Sequence, residues 1–493
     1  MPTVNVAGNC QPEADCASTS SKGIASFSQV KMQEPVLGDT SVMPPPVRTS
    51  VVNPAANIRH MRRIIAEDPE WSLAIVPHLT ELCLQHIIIN FEKKPILNHL
   101  LPEHQKRVLD RISTGLPLSV TANLISDEGY WKRCCIERWT VCDVSCYGGS
   151  WKRMFFERHL ENILKYFVPN VTDPDRVLDV IPLCKDYVRK LEIDQFLPPV
   201  KLDEKKEEED LSDSGSDVEN DELSMHHYDI GGLIVALPHL EELNLSYGVK
   251  DCGMNFEWKL FNFTSKDCSN LAKGLKKCQS LKVFKLTRSK VDDDKARLLI
   301  RNLLDHPCLV ELDFSHNLIG DRGARAIGKL MNHSRLEILT LCNNQIRPPG
   351  AQAIAHALAK NSTLISLNLR LNCIEDEGGQ AVGHALLSNS SLRSINLAGN
   401  ELSEPTATLF SLVLAQNTAL TSINLSCNHI GLDGGKQLLE GMSDNKTMTE
   451  FDLRLAEVGQ ESEYLINQTL RANQEIARLK TLQQSNSPRE KLP

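Results

Sequence analysis

Along the second half of the chain, apolar side chains recur in a fixed frame, L-x-x-L-x-L-x-x-N-x-L. It reads Leu309, Leu312, Phe314, Asn317, Ile319, and then Leu336, Leu339, Leu341, Asn344, Ile346. It continues through Leu364, Leu367, Leu369, Asn372, Ile374, through Leu392, Ile395, Leu397, Asn400, Leu402, and through Leu420, Ile423, Leu425, Asn428, Ile430. From Asn317 the steps to the next asparagine are 27, 28, 28 and 28. The two-residue spacing inside each frame predicts a short strand with alternate side chains turned inward. The stretch after each asparagine predicts a helix with small residues at close contacts, such as Gly323, Ala324 and Ile327, or Gly378, Gly379 and Val382. A repeat of this length cannot bury its apolar face alone, so the units are expected to stack.

Period and frame together are the signature of leucine-rich repeats, which coil into a curved solenoid. Degenerate frames extend the array: Leu281, Phe284 and Leu286 with Ser289 in the asparagine slot, Leu240, Leu243 and Leu245 with Gly248, and Met448, Phe451 and Leu453 with Ala456. That makes about eight units, with imperfect ones at the ends as caps require. The amides of Asn317, Asn344, Asn372, Asn400 and Asn428 are expected to satisfy backbone groups of their own and adjoining repeats. A full helix per 28 residues resembles the ribonuclease-inhibitor class, so the fold class is α/β. Residues between the inward leucines face the concave side, where solenoids dock partners. There Asn368, Arg370, Asn396, Asn424, Asp452 and Arg454 are candidate partner-binding residues; any one of them, taken singly, better fits a role in solvating the strand surface, and the case for docking rests on the column as a whole.

The rest of the chain divides by composition. Residues 1–57, rich in Ser, Thr, Pro and Gly, read as a disordered tail. Residues 58–200 hold four of the five tryptophans and read as a mainly α domain. Residues 201–228 read as an acidic linker: from Lys201 to Glu222 lie eleven acidic residues and three lysines. Ser214 and Ser216 each precede an acid by three positions, the pattern acidophilic kinases use, although composition alone favours a solvated spacer. Residues 229–460 are the solenoid, and 461–493 a capping helix and tail with Leu465, Ile466, Leu470, Ile476 and Leu479 on one stripe.

A net charge of −9 gives no general affinity for nucleic acid. Fifteen cysteines without a secreted spacing point to a reducing compartment, and no signal peptide or membrane span is legible. N-x-S/T triplets such as Asn361-Ser362-Thr363 then read as chance composition. Gly323 to Lys329 imitates a phosphate loop, but Leu330 follows where a hydroxyl is needed. Cys134, Cys135, Cys142 and Cys146 lack zinc spacing and read as structural thiols, and His226-His227 has no ligand partners nearby. No catalytic, cofactor or metal residues are expected, and the chain reads as a non-enzymatic binding scaffold.

Two resemblances follow from the 58–200 region. Leu101-Pro102, the apolar run Val108 to Ile112, Leu116-Pro117-Leu118 and a closing Trp139 follow the order of an F-box, which with repeats implies a ubiquitin-ligase substrate adaptor. Trp131 to Trp139, Tyr147 to His159, the acidic serine linker and the repeats, in that order, resemble a second family. It is that of T-complex-associated testis-expressed protein 1, the leucine-rich-repeat subunit (subunit 5) of the nexin–dynein regulatory complex. This resemblance implies an axonemal adaptor in cilia and flagella that links doublet microtubules and regulates dynein-driven motility. Its implied partners are other subunits of the complex, with dynein or doublet microtubule proteins beside them, and neither nucleic acid nor membrane.

Overall fold

The computed structural model describes residues 62–63, 75–198, 226–250, 253–255 and 258–486. The expected tail, and Ser214 and Ser216 of the expected linker, lie outside the described residues. The chain divides into two compact units, residues 1–82 and 83–493. In the first, Arg62–Arg63 (β1) and Ile75–Val76 (β2) pair antiparallel.

Helices α1 (Leu79–Ile89), α2 (Pro102–Leu109), α3 (Leu118–Leu124), α4 (Glu128–Arg138), α5 (Trp151–Lys165), α6 (Asp175–Leu178) and α7 (Ile181–Cys184) precede the repeats. Local chemistry starts the two longest of those in the aromatic region. The Asp127 carboxylate accepts from Tyr130 N at 2.9 Å to cap α4, and the Ser150 hydroxyl accepts from Arg153 N at 3.2 Å to cap α5. Between them Trp131 is fully buried, with ring centroids 5.0 and 5.2 Å from Phe155 and Phe156. Its indole N–H donates to Ile125 O at 3.0 Å, so burial leaves no polar atom unmet there. Lys152 is buried against the same ring; its Nζ donates to Ile125 O at 2.9 Å and lies 4.6 Å from the Tyr187 centroid.

The repeats form one nine-stranded parallel sheet: β3 (Lys190–Ile193), β4 (Glu242–Leu245), β5 (Val283–Leu286), β6 (Glu311–Asp313), β7 (Ile338–Thr340), β8 (Ser366–Asn368), β9 (Ser394–Asn396), β10 (Ser422–Asn424) and β11 (Glu450–Asp452). Pairing is in register, so Leu191, Leu243, Phe284, Leu312, Leu339, Leu367, Ile395, Ile423 and Phe451 make one buried row. Helices α8 (Ile230–Ala236), α9 (Ser265–Lys277), α10 (Asp293–Leu303), α11 (Asp321–His333), α12 (Pro348–Leu358), α13 (Glu375–Ser388), α14 (Glu404–Gln416) and α15 (Gly431–Met442) return on the other side, and α16 (Gln460–Asn486) ends the array. Several of these helices are started by their neighbours. The Asp293 carboxylate accepts from Gly320 N (2.7 Å) and Gly323 N (2.9 Å), and Asp321 does the same for Arg347 N and Gly350 N, so each acid at one helix start satisfies the first turn of the next.

The sheet begins earlier than the frame count implies, at β3, on the N-terminal side of the expected linker. Its strand is anchored by α5. Glu157 accepts from Arg189 N (2.7 Å) and Lys190 N (3.0 Å), and Glu161, one turn on, accepts from Glu192 N (2.7 Å). Two carboxylates thereby occupy backbone donors that an edge strand would otherwise expose. Residues 226–228, which the sequence reading gives to the linker, also pack onto the repeats. His227 is buried, with Nδ1 2.9 Å from the Asp267 carboxylate, and its ring meets Tyr247 edge-on at 5.2 Å. At the far end Ile466 and Leu470 of α16 are buried, and the Asn473 amide donates to Asn445 O and Met448 O. The predicted stripe divides there, because Ile476 and Leu479 are 39% and 50% exposed beyond the last repeat. No helix among the described residues is long and apolar enough to cross a membrane.

Candidate functional site: a polar concave face

What holds the face flat is a column of asparagines just beneath it. Asn372 donates from Nδ2 to Leu341 O (3.0 Å) and Leu369 O (2.9 Å), and its Oδ1 accepts from Ile346 N (3.1 Å) of the preceding repeat. Asn317, Asn344, Asn400 and Asn428 repeat the scheme, all at most 7% exposed. Leu341 O and Leu369 O each receive two such amides, one from either side, so the column is continuous. Ser289 fills the slot with a shorter side chain and still accepts from Tyr247 N at 2.9 Å. From Ser289 on, the residue before each slot turns through a positive φ: Arg288, His316, Asn343, Leu371, Gly399, Cys427 and Leu455 lie between 51° and 62°. Only Gly399 is free of the steric cost of that conformation.

The concave residues themselves divide by role. Asp313, Asn368, Asn396, Asn424 and Asp452 each accept from the backbone N–H two residues on, at 2.8–3.1 Å, closing the strand end. Half of each candidate amide is thus committed to the local turn. Arg454 is committed as well: its Nε and Nη2 grip the Asp452 carboxylate at 2.9 and 2.7 Å. The Arg454 fork holds the Asp452 carboxyl below the usual carboxylate range, against the opposing effect of its burial. Arg370 differs: it is exposed, and its guanidinium makes no hydrogen bond or ion pair among the described residues. Three neighbouring strands carry the same S-x-N sequence, Ser366 to Asn368, Ser394 to Asn396 and Ser422 to Asn424, so the strands themselves are uncharged there and Arg370 stands at the end of the first. Towards its C-terminal end Ser422, Asn424, Glu450, Asp452, Arg454, Glu463 and Asn467 line a cleft of about 460 Å³ where α16 crosses β11.

A second asparagine ladder runs along the helix ends, and the sequence reading missed it. Asn361, Asn389, Asn417 and Asn445 are 5–9% exposed, donate back to Met331 O, Leu358 O, Leu386 O and Leu414 O, and each accept from the backbone N–H groups two and three residues on. Asn361-Ser362-Thr363 is therefore not chance composition; its asparagine is a buried joint between repeats. The 28-residue period of these four asparagines was the available signal.

Other candidate chemistry resolves into structure. The phosphate-loop imitation lies inside α11, away from any strand-to-helix turn. Cys134 and Cys135 are buried, and burial pushes their thiols up to about 11 and about 12, whereas Cys146 is exposed. No group of three or more His, Cys, Asp or Glu among the described residues is placed to hold a metal ion.

Comparison with known proteins agrees with this architecture. A Leucine Rich repeat family profile matches residues 305–328, 360–383 and 416–439. "Dynein regulatory complex subunit 5" of Macaca fascicularis is 62% identical over 484 residues, covering 98% of this chain and 96% of that one. The human protein of the same name is 63% identical over 452 residues, covering 92% and 90%. That of Chlamydomonas reinhardtii is 32% identical over 225 residues, covering 45% and 50%. These relatives give no support to the ubiquitin-ligase reading. With two such matches spanning nine-tenths or more of both chains, this protein belongs to the dynein regulatory complex subunit 5 family.

Proposed function

We propose that the chain is a non-enzymatic scaffold subunit of the axonemal nexin–dynein regulatory complex, helping to link doublet microtubules and to regulate dynein-driven beating of cilia and sperm flagella. The narrower likeness to T-complex-associated testis-expressed protein 1 is part of this reading. The observation that carries it is the 62% identity to a dynein regulatory complex subunit over 98% of the chain. A continuous sheet with a polar, mostly uncharged concave face supports it, because a solenoid presents its strands to partners. In this reading other subunits of the complex are the direct partners, with dynein or doublet microtubule proteins as further neighbours. Arg370 is the central anchor, since an unpaired guanidinium on a flat face suits a hot spot. Asn368 and Asn396 offer their amide donors, and Asp452, gripped by Arg454 and also accepting from the Asn424 amide at 3.3 Å, offers a preformed ion pair at the edge.

Axonemes from motile cells test the assignment. The protein is expected to stay with them through detergent and moderate salt, and complete extraction into the soluble fraction would overturn it. Arg370→Glu is expected to weaken incorporation at least tenfold without changing the melting temperature. Unchanged incorporation removes Arg370 from the interface.

A further inference from the structure

In the repeats, some exposed cations sit against a carboxylate: Lys282 with Glu241, Arg322 with Asp294, Lys436 with Asp433. The outer face of α4 and α5 is different, because its acids are spent inward. Glu128 accepts from Ser150 Oγ (2.8 Å) and Trp151 N (2.5 Å), and Glu137 accepts from the Thr114 hydroxyl. Glu157 and Glu161 are consumed by the edge of β3.

Three cations are left on this face without a carboxylate in ion-pairing range among the described residues: Lys132, Arg138 and Arg158. Arg138 lies 5.9 Å from the Trp139 ring centroid and 5.2 Å from that of Phe155, and Arg158 lies 4.8 Å from Trp139. Each guanidinium shows one polar partner, His159 Nδ1 at 3.0 Å for Arg138 and Val141 O at 2.7 Å for Arg158. Most of their N–H donors remain unspent. Lys132 stands 5.5 Å over Trp151. Stacking fixes the guanidinium planes in advance, which suits them to bidentate carboxylate recognition. The apolar side chain of Ile136, one turn on from Lys132 in α4, is 57% exposed, and that of Val141, whose carbonyl accepts from Arg158, is 73% exposed.

We propose that this face binds an acidic peptide segment of a partner protein, its carboxylates on Arg138 and Arg158 and an adjoining apolar side chain on Ile136 and Val141. The inference is independent of the axonemal assignment, since it is tested with a peptide in solution. The apolar margin favours a peptide over a polyanion such as nucleic acid, which needs a longer basic track.

Full-length protein is titrated into a fluorescein-labelled peptide of about twelve residues in which Glu alternates with Leu, and anisotropy is read at low and high salt. Saturable, salt-sensitive binding is expected. It should weaken roughly tenfold or more in Arg138→Gln/Arg158→Gln, and about threefold in the exposed Lys132→Gln. Arg138→Lys/Arg158→Lys keeps the charge but not the fork, and should weaken binding in between; it and Lys132→Gln decide the matter if the Gln pair loses its fold. No binding by the natural sequence, or full-strength binding by the Lys and Lys132 variants, overturns the proposal. So does equal or tighter binding of a single-stranded DNA oligonucleotide. Binding that emerges only after the acids of residues 203–222 are neutralised also overturns it, and assigns the face to the chain's own acidic run.

Discussion

Two asparagines four positions apart, Asn368 and Asn372, should differ several-fold in what their loss costs. Asn372→Ala orphans Ile346 N–H, whose acceptor is the Asn372 carboxamide oxygen, at roughly 1–3 kcal/mol for a buried donor. It also removes one of the two amides reaching Leu341 O and Leu369 O; each carbonyl keeps its other partner, so each loss is about 0.5–1 kcal/mol. The expected total is about 2–5 kcal/mol. Asn368→Ala gives up one bond, to Arg370 N at 3.0 Å on a half-exposed residue, and should cost about 0.5–1 kcal/mol. Asn372→Ser should fall between, since Ser289 already shows that a hydroxyl in this slot can keep the N–H acceptor. Urea unfolding of the three variants, followed by far-ultraviolet circular dichroism, gives the comparison. Equal destabilisation by the two alanine variants would refute the idea that the buried column, and not asparagine content, joins the repeats.

Four further outcomes are expected. Burial raises Glu161 to about 7, so in the fold it is protonated well above its unfolded range; this contribution is present at low pH and lost as pH rises from about 4.3 to 7. Glu161→Gln should therefore gain on the natural sequence across that window, by on the order of 2 kcal/mol in thermal melts, and an advantage that shrinks with rising pH would contradict the sign. His159 works the other way: burial, then the Arg138 charge, lowers it to about 4, so its contribution is lost on acidification from about 6.5 to 4, and melts of His159→Gln should lack this acid-side loss. At Gly231 an added Cβ would lie 2.0 Å from the backbone oxygen of Asn270, so Gly231→Ala should cost about 2–3 kcal/mol by forcing α8 from α9, read as a lowered urea midpoint. Leu455 is 81% exposed with φ of 56°, so Leu455→Gly should raise the melting temperature through relief of about 1 kcal/mol of strain.

Much of the solenoid was legible because its determinants are local and periodic. The inward leucines and the slot asparagines recur at fixed spacing, and each has one job that every repeat demands. The left-handed position before each slot was not legible, since His, Asn, Leu, Gly and Cys occupy it in turn and none marks it. The first strand was hidden for another reason. Lys190–Ile193 lies outside the repeat period and enters the sheet through Glu157 and Glu161, some thirty residues earlier in the chain. For the concave face, sequence could place the candidate residues in columns but could not show that Arg454 is already gripped while Arg370 is not. That difference depends on which acid lies opposite: Asp452 sits two residues from Arg454, and Asn368 holds the same place for Arg370.

The glutamates of α5 act as a stopper. With one margin of the nine-strand array plugged by carboxylates and the other overlaid by α16, another molecule finds little open backbone to template upon. At strand spacings of about 4.8 Å the array is about 40 Å broad and stays that breadth. A sheet covered at both margins has a fixed width, so whatever lies along its strands meets the same span each time.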